Sequence, residues 1–141
     1  MPAEASPMLR SGLALAGANN GDKADGIMTA LEIADLDLWG TQLVVLSSCE
    51  TGVGEAHKGE GVFGLRRALV MAGSRTQVMS LWEVDDQNTR QFMVAYYDRL
   101  LTGQGRSAAL RNVQLDMLHD GIDPSHWSAF MVSGDWTPLG K

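Results

Sequence analysis

The apolar run Leu43-Val44-Val45-Leu46 is followed by Ser47-Ser48-Cys49-Glu50-Thr51-Gly52, which sets the one cysteine of the chain just past a stretch with the character of a buried strand. Open α/β sheets gather their ligands and catalytic groups at the carboxyl ends of the strands. A thiol held there, partly exposed and near amide dipoles or a cation, can ionise to a nucleophilic thiolate. The same Cys49 can equally be one more small buried side chain. A second cluster, Glu83-Val84-Asp85-Asp86, follows the next apolar run. Its carboxylates can form a negative pocket for a cationic group, or can simply favour the start of a helix.

Other constellations fit known chemistry less well. Gly59-Glu60-Gly61-Val62-Phe63-Gly64 matches the glycine pattern of dinucleotide-binding folds, but more than ten residues separate it from Leu46. That pattern has to follow its strand directly, so that the pyrophosphate meets the helix N-terminus. Gly54 and Gly59 have phosphate-loop spacing, yet Glu60-Gly61 stands where Lys and Ser/Thr would hold phosphate and magnesium. A phosphatase cradle after Cys49 would need an arginine where position 55 is Glu. His57, His119 and His126 lack the mutual spacing and companion cysteines of a zinc site and read as solvated. No metal or cofactor is called for. Tyr96, Tyr97 and the four tryptophans read as core.

These groups must be positioned by the elements around them. Residues 1–26, rich in Gly, Ala, Asn and Asp, read as an irregular lead-in, with turn chemistry at Asn19-Asn20-Gly21-Asp22. Thr29-Ala30-Leu31-Glu32 fits a capping box and predicts a short helix ending before Gly40. After the strand at residues 43–46, glycines at 52, 54, 59, 61 and 64 predict a long loop, and a helix then runs to a stop at Gly73. Thr76 to Trp82 reads as a second buried strand. Asp86 is placed to cap a helix over Gln87 to Leu101 with Phe92, Tyr96 and Leu100 on its apolar face. Another helix follows from Ser107 to about His119, and a last strand from Trp127 to Val132. Strand, helix, strand, helix, helix, strand points to a parallel α/β sheet with helices on its faces.

Composition narrows the classes. The 141 residues suggest one domain, and 45% hydrophobic with 20% charged residues is ordinary for a folded chain. A single cysteine excludes an internal disulfide scaffold. The apolar runs fall short of the roughly 18 to 20 residues that span a bilayer, and the N-terminus lacks the pattern of a secretory signal. A cytoplasmic location is expected, without membrane attachment. Net charge is −6, with one basic pair at Arg66-Arg67. Nucleic-acid binding is therefore not expected, because it depends on clustered cations.

Three ordered motifs carry a resemblance: Ser47-Ser48-Cys49-Glu50-Thr51-Gly52, Gly59-Glu60-Gly61-Val62-Phe63-Gly64-Leu65-Arg66-Arg67-Ala68, and Ser80-Leu81-Trp82-Glu83-Val84-Asp85-Asp86. With Leu9-Arg10-Ser11-Gly12-Leu13 and the closing Trp127-Ser128-Ala129-Phe130, the chain closely resembles the CHAT-domain family of caspase-like cysteine peptidases, which are often joined to TPR repeats and related to separase. The resemblance implies a caspase-like three-layer sandwich with a mostly parallel sheet, residues 1–141 forming the C-terminal part of the domain with its N-terminal strands missing. It implies Cys49 as nucleophile, and Asp86, with Asp85 beside it, in a pocket for the basic residue before the scissile bond of a polypeptide substrate.

The family's general base stands on an earlier strand that ends in His-Gly, and none of the three histidines here follows an apolar strand or precedes glycine. A thiol peptidase needs that imidazole to form the thiolate and to protonate the leaving amine. The base, and the glycine amide that helps hold the oxyanion, are expected from an upstream segment or a partner chain, with the chain inactive alone. The rival reading is a non-catalytic interaction module, a pseudo-peptidase, on the same scaffold.

Overall fold

A computed structural model of the chain describes residues 7–18, 26–47 and 58–140. The chain divides into two compact units, one drawn from Met1–Gly40 and Glu50–Ser74, the other from Thr41–Cys49 and Arg75–Lys141.

In the first unit, α1 (Pro7–Arg10) leads into β1 (Gly12–Ala14), which pairs antiparallel with β2 (Ile27–Thr29). Residues 7–14 are thus a helical turn and a strand inside the segment read from composition as an irregular lead-in. The pairing partner lies more than ten residues downstream, where local composition carries no sign of it. The proposed turn at residues 19–22 lies outside the described residues. The capping box is present: Thr29 Oγ1 accepts from the Glu32 amide at 3.3 Å and Glu32 accepts from the Thr29 amide at 2.7 Å, opening α2 (Ala30–Ala34). These bonds to Thr29 hold the Glu32 carboxyl below the usual range.

The next helix, α3 (Lys58–Met71), corrects the expected loop over residues 49–64, since it begins six residues before Gly64. Gly61 and Gly64 are buried in it, in line with Val62, Leu65, Ala68 and Ala72. Each glycine inside a helix costs about 1 kcal/mol relative to alanine, but small side chains at three- and four-residue spacing let a helix approach its neighbours closely. The helix stops at Gly73 (φ 103°), where a Cβ would meet the Trp39 ring at 3.0 Å.

The second unit holds β3 (Val44–Leu46), β4 (Thr76–Ser80), α4 (Asp86–Leu101), α5 (Arg106–His119), a 3₁₀ turn (Pro124–His126) and β5 (Phe130–Gly134). Strand order is β3-β4-β5, with β4 parallel to β3 and antiparallel to β5. The sheet is mixed where the element order suggested a parallel one. The reason lies in the two helices between β4 and β5: one helix returns the chain to the start of β4, the second carries it back again, so β5 must run the other way. The last strand also begins three residues later than expected, because residues 127–129 continue the 3₁₀ turn of Pro124–His126 as a hydrogen-bonded turn, the Trp127 and Ser128 amides donating to the Pro124 carbonyl.

All five residues of β4 are buried. On one face Val78 packs with Phe92, Tyr96 and Leu100 of α4 and with Ala109, Leu110, Val113 and Met117 of α5, and Val45 and Val132 from the flanking strands join them. Phe92 stacks on Phe130 with ring centroids 4.2 Å apart. The α4 stripe repeats every four residues, as its sequence predicts. The tryptophans depart from the expected core role: Trp39 is 82% and Trp136 69% exposed. Trp82 and Trp127 use their indole N–H groups to donate to the carbonyls of Ser125 and Ile122. No helix among the described residues is long and apolar enough to cross a membrane.

At the start of β4 sits a buried cation. Arg106, 1% exposed, donates to Thr76 Oγ1 at 2.9 Å and to Gln42 Oε1 at 3.2 Å, and pairs with the Asp135 carboxylate at 3.2 Å. Its backbone carbonyl accepts from the buried Tyr96 phenol, whose pKa is pushed up to about 12, chiefly by burial. Each partner keeps a second bond: Thr76 donates to the Asp135 carbonyl, Gln42 accepts from the Gly140 amide, and Asp135 accepts from Thr137. Arg106→Ala, which opens a cavity and strips these acceptors of their donor, is expected to lower stability by about 3 to 5 kcal/mol in chemical denaturation. Arg106→Met fills the volume and leaves partners that remain bonded, so its loss is expected to be clearly smaller.

Candidate functional site

The parallel register aligns Leu46 with Met79, so β3 and β4 end at the same edge of the sheet. Ser80 Oγ donates to the Ser47 carbonyl at 3.2 Å and ties the two strand ends together. Beyond Ser80 the chain turns through residues 81–85 into α4, and the Leu81 amide donates to the Ala129 carbonyl at 2.9 Å. The edge is therefore built from Ser47, the acidic turn and the segment that leads into β5. Cys49 follows Ser47 by two positions in the sequence and lies outside the described residues, as does His57.

Asp85, rather than Asp86, caps α4. Its Oδ1 accepts from the Asn88 amide at 3.0 Å, and its Oδ2 accepts from the Asn88 side chain at 2.6 Å. The reading of Asp86 as the cap is thus off by one position: Asn88, three residues beyond Asp85, supplies both donors, and Asp86 becomes the first helical residue. Asp86 is exposed and makes no side-chain hydrogen bond or ion pair among the described residues. Glu83 is exposed as well, whereas Val84 between them is buried.

Asp85 has a further partner that sequence reasoning missed. His126 Nδ1 lies 3.1 Å from Asp85 Oδ2. His126, which the sequence reads as solvated, is partly exposed and also paired, because the antiparallel return of β5 brings its preceding turn beside the start of α4. No local signal marks this contact, which joins positions far apart in the chain. The Asn88 bonds first, then the His126 charge, hold the Asp85 carboxyl below the usual carboxylate range. Asp123 is also held low, by its bonds to Ser125 and by His126. His119 is exposed in the last turn of α5. Among the described residues no group of three or more His, Cys, Asp or Glu side chains is placed to hold a metal ion.

A mixed α/β sheet whose parallel strand ends present an acidic helix start defines the structural class. The chain matches the CHAT domain model over residues 3–135 and belongs to the CHAT domain family, which is caspase-like. It is 35% identical over 117 residues to tetratricopeptide repeat protein 28 of Homo sapiens, covering 82% of this chain and 5% of that protein. Tetratricopeptide repeat protein 28 of Mus musculus is 33% identical over 119 residues, with the same coverage. The chain thus spans only about 5% of the length of these curated relatives.

The two aspartates should separate in stability measurements. Asp85→Ala is expected to lower the melting temperature through loss of the cap, and Asp86→Ala to leave it nearly unchanged. A carboxyl whose folded pKa is depressed contributes stability that is complete above its unfolded value and fades as pH falls through the folded value. The melting temperature should therefore decline on acidification below the usual carboxylate range, and Asp85→Asn should flatten part of that decline.

Proposed function

We propose that this chain is the C-terminal part of a caspase-like cysteine endopeptidase domain, with Cys49 as nucleophile and Asp86, flanked by Asp85, as the anionic group that selects a basic residue before the scissile bond. The observation that carries the reading is the shared strand edge: the bond between Ser80 Oγ and the Ser47 carbonyl joins the chain leading to Cys49 with the turn leading to Asp86. An exposed carboxylate at a helix start, unpaired among the described residues, suits an arginine side chain, which can bind it through two parallel hydrogen bonds. Family membership and the Ser-Ser-Cys-Glu-Thr-Gly motif add support.

In this mechanism the imidazole, supplied by an upstream segment or a partner chain, takes the Cys49 proton. The thiolate then attacks the scissile carbonyl carbon, and the imidazolium returns the proton to the departing amine. Water, deprotonated by the same imidazole, cleaves the thioester, releasing the acid product and the free thiol. The tetratricopeptide repeats named in the relatives suggest such a repeat array as a neighbour in the complete protein, acting in the cytoplasm.

Fluorogenic peptides with arginine before the scissile bond test the proposal. The 141-residue chain alone should give no appreciable turnover, because nucleophile and base act as a unit. A polypeptide extended to include the upstream histidine strand should cleave them, and Cys49→Ala should abolish that activity. In the extended protein Asp86→Ala should lower kcat/KM for arginine substrates by about two- to fivefold, the size of an exposed ion pair. An extended protein that binds peptides but never cleaves them would replace this reading with the pseudo-peptidase one.

A further inference from the structure

The segment facing the acidic turn is locked within itself. Asp123 accepts from the Ser125 amide at 2.9 Å and its hydroxyl at 2.6 Å, Ser128 Oγ donates to the Pro124 carbonyl at 2.7 Å, and the Trp127 indole donates to the Ile122 carbonyl at 3.0 Å. Among the described residues three links join this block to residues 81–85. They are the Leu81 amide to the Ala129 carbonyl, the Trp82 indole N–H to the Ser125 carbonyl at 2.9 Å, and His126 to Asp85 at 3.1 Å. The first two do not involve a titratable group, and the third does.

We propose that His126 is a positioning residue that latches the acidic turn to the 123–129 block and makes the negative charge of the turn depend on pH. The inference rests on the reading of that turn as a pocket for a basic side chain and concerns its regulation. Three carboxylates, Glu83, Asp85 and Asp86, lie on the exposed turn. The charged groups that face His126 are Asp85 at the start of α4 and Asp123 from its own turn. Histidine is the side chain whose charge ordinarily changes between pH 5 and 8. Protonated, His126 neutralises Asp85 and draws the turn against the block. Neutral, it leaves the turn with its whole negative charge and the latch with at most one hydrogen bond from the imidazole N–H to the Asp85 carboxylate, without the attraction of opposite charges. Affinity for a cationic group at Asp86 therefore rises as His126 loses its proton.

The test uses nuclear magnetic resonance on the 141-residue chain. The Trp82 indole N–H resonance, one bond away from the block, is followed between pH 5.5 and 8. It should move with pH in step with the His126 ring protons, and this movement should vanish in His126→Gln and, independently, in Asp85→Asn. A Trp82 resonance that does not respond, or that responds equally in His126→Gln, overturns the latch. Benzamidine, whose amidinium keeps its charge over this range, is then titrated against the Asp86 amide. It should bind about two- to fivefold tighter at pH 8 than at pH 5.5, the size of an exposed ion pair, and with no such difference in His126→Gln. Equal affinity at both pH values in the unsubstituted chain overturns the charge coupling. Absence of benzamidine binding at either pH, with Trp82 still following His126, overturns the pocket reading and upholds the latch.

Discussion

The buried guanidinium of Arg106 is the constraint on which the arrangement of the second unit depends. A charge taken out of water must find partners close by, and those partners come from parts of the chain that share no other element. Gln42 precedes β3, Thr76 opens β4, Asp135 follows β5, and Arg106 itself begins α5. The bonds to the two terminal nitrogens of this one side chain therefore tie three strands and a helix together at one end of the sheet. The closing segment is held by the same group, through the Arg106 amide donating to the Thr137 carbonyl and through Gln42 bonding Gly140. Gly134 completes the arrangement with a φ of 99° at a point where any Cβ would run into the Arg75 carbonyl.

Fixing one end of the sheet leaves the other end to differ in character. The two helices between β4 and β5 divide the chain so that each turn of the chain falls at a defined edge. The turn between α4 and α5 lies toward the Arg106 end, while the turns before α4 and after α5 lie toward the end where β3 and β4 finish. The first end encloses a buried cation, whose two terminal guanidinium nitrogens meet acceptors while its Nε has no partner among the described residues. Among the described residues the second end carries Glu83, Asp85, Asp86 and Asp123, with the imidazole of His126 against Asp85.

What the sequence discloses and what it hides sort by range. The capping box at Thr29, the stripe of Phe92, Tyr96 and Leu100, and the buried strand at residues 76–80 are local patterns, and all of them are present in the structure. The helical start of α3 was hidden by its glycines, although the small-residue spacing of Gly61, Gly64, Ala68 and Ala72 contained it. The antiparallel sense of β5 follows from the two consecutive helices before it, whereas the alternation of elements alone points to the commoner parallel pairing. Pairings at long range left no trace: β1 with β2, Arg106 with Gln42, and His126 with Asp85 each depend on how separate elements meet. Of the candidate site, the motif order identified the family and the shared edge, but the division of roles between Asp85 and Asp86 depended on where Asn88 fell.

That division has a physical logic. Two adjacent carboxylates at a helix start both gain from the positive end of the helix dipole, yet only one can occupy the capping position. Asp85 takes it, and the Asn88 donors and His126 use up its acceptor capacity. An incoming cation at Asp85 would have to displace bonds that already stabilise the ionised carboxylate. At Asp86 it would displace only water among the described residues, and it would still feel the dipole and the neighbouring charge. The capped aspartate thus fixes the helix start that presents the second one, and the free carboxylate owes its position to the residue before it.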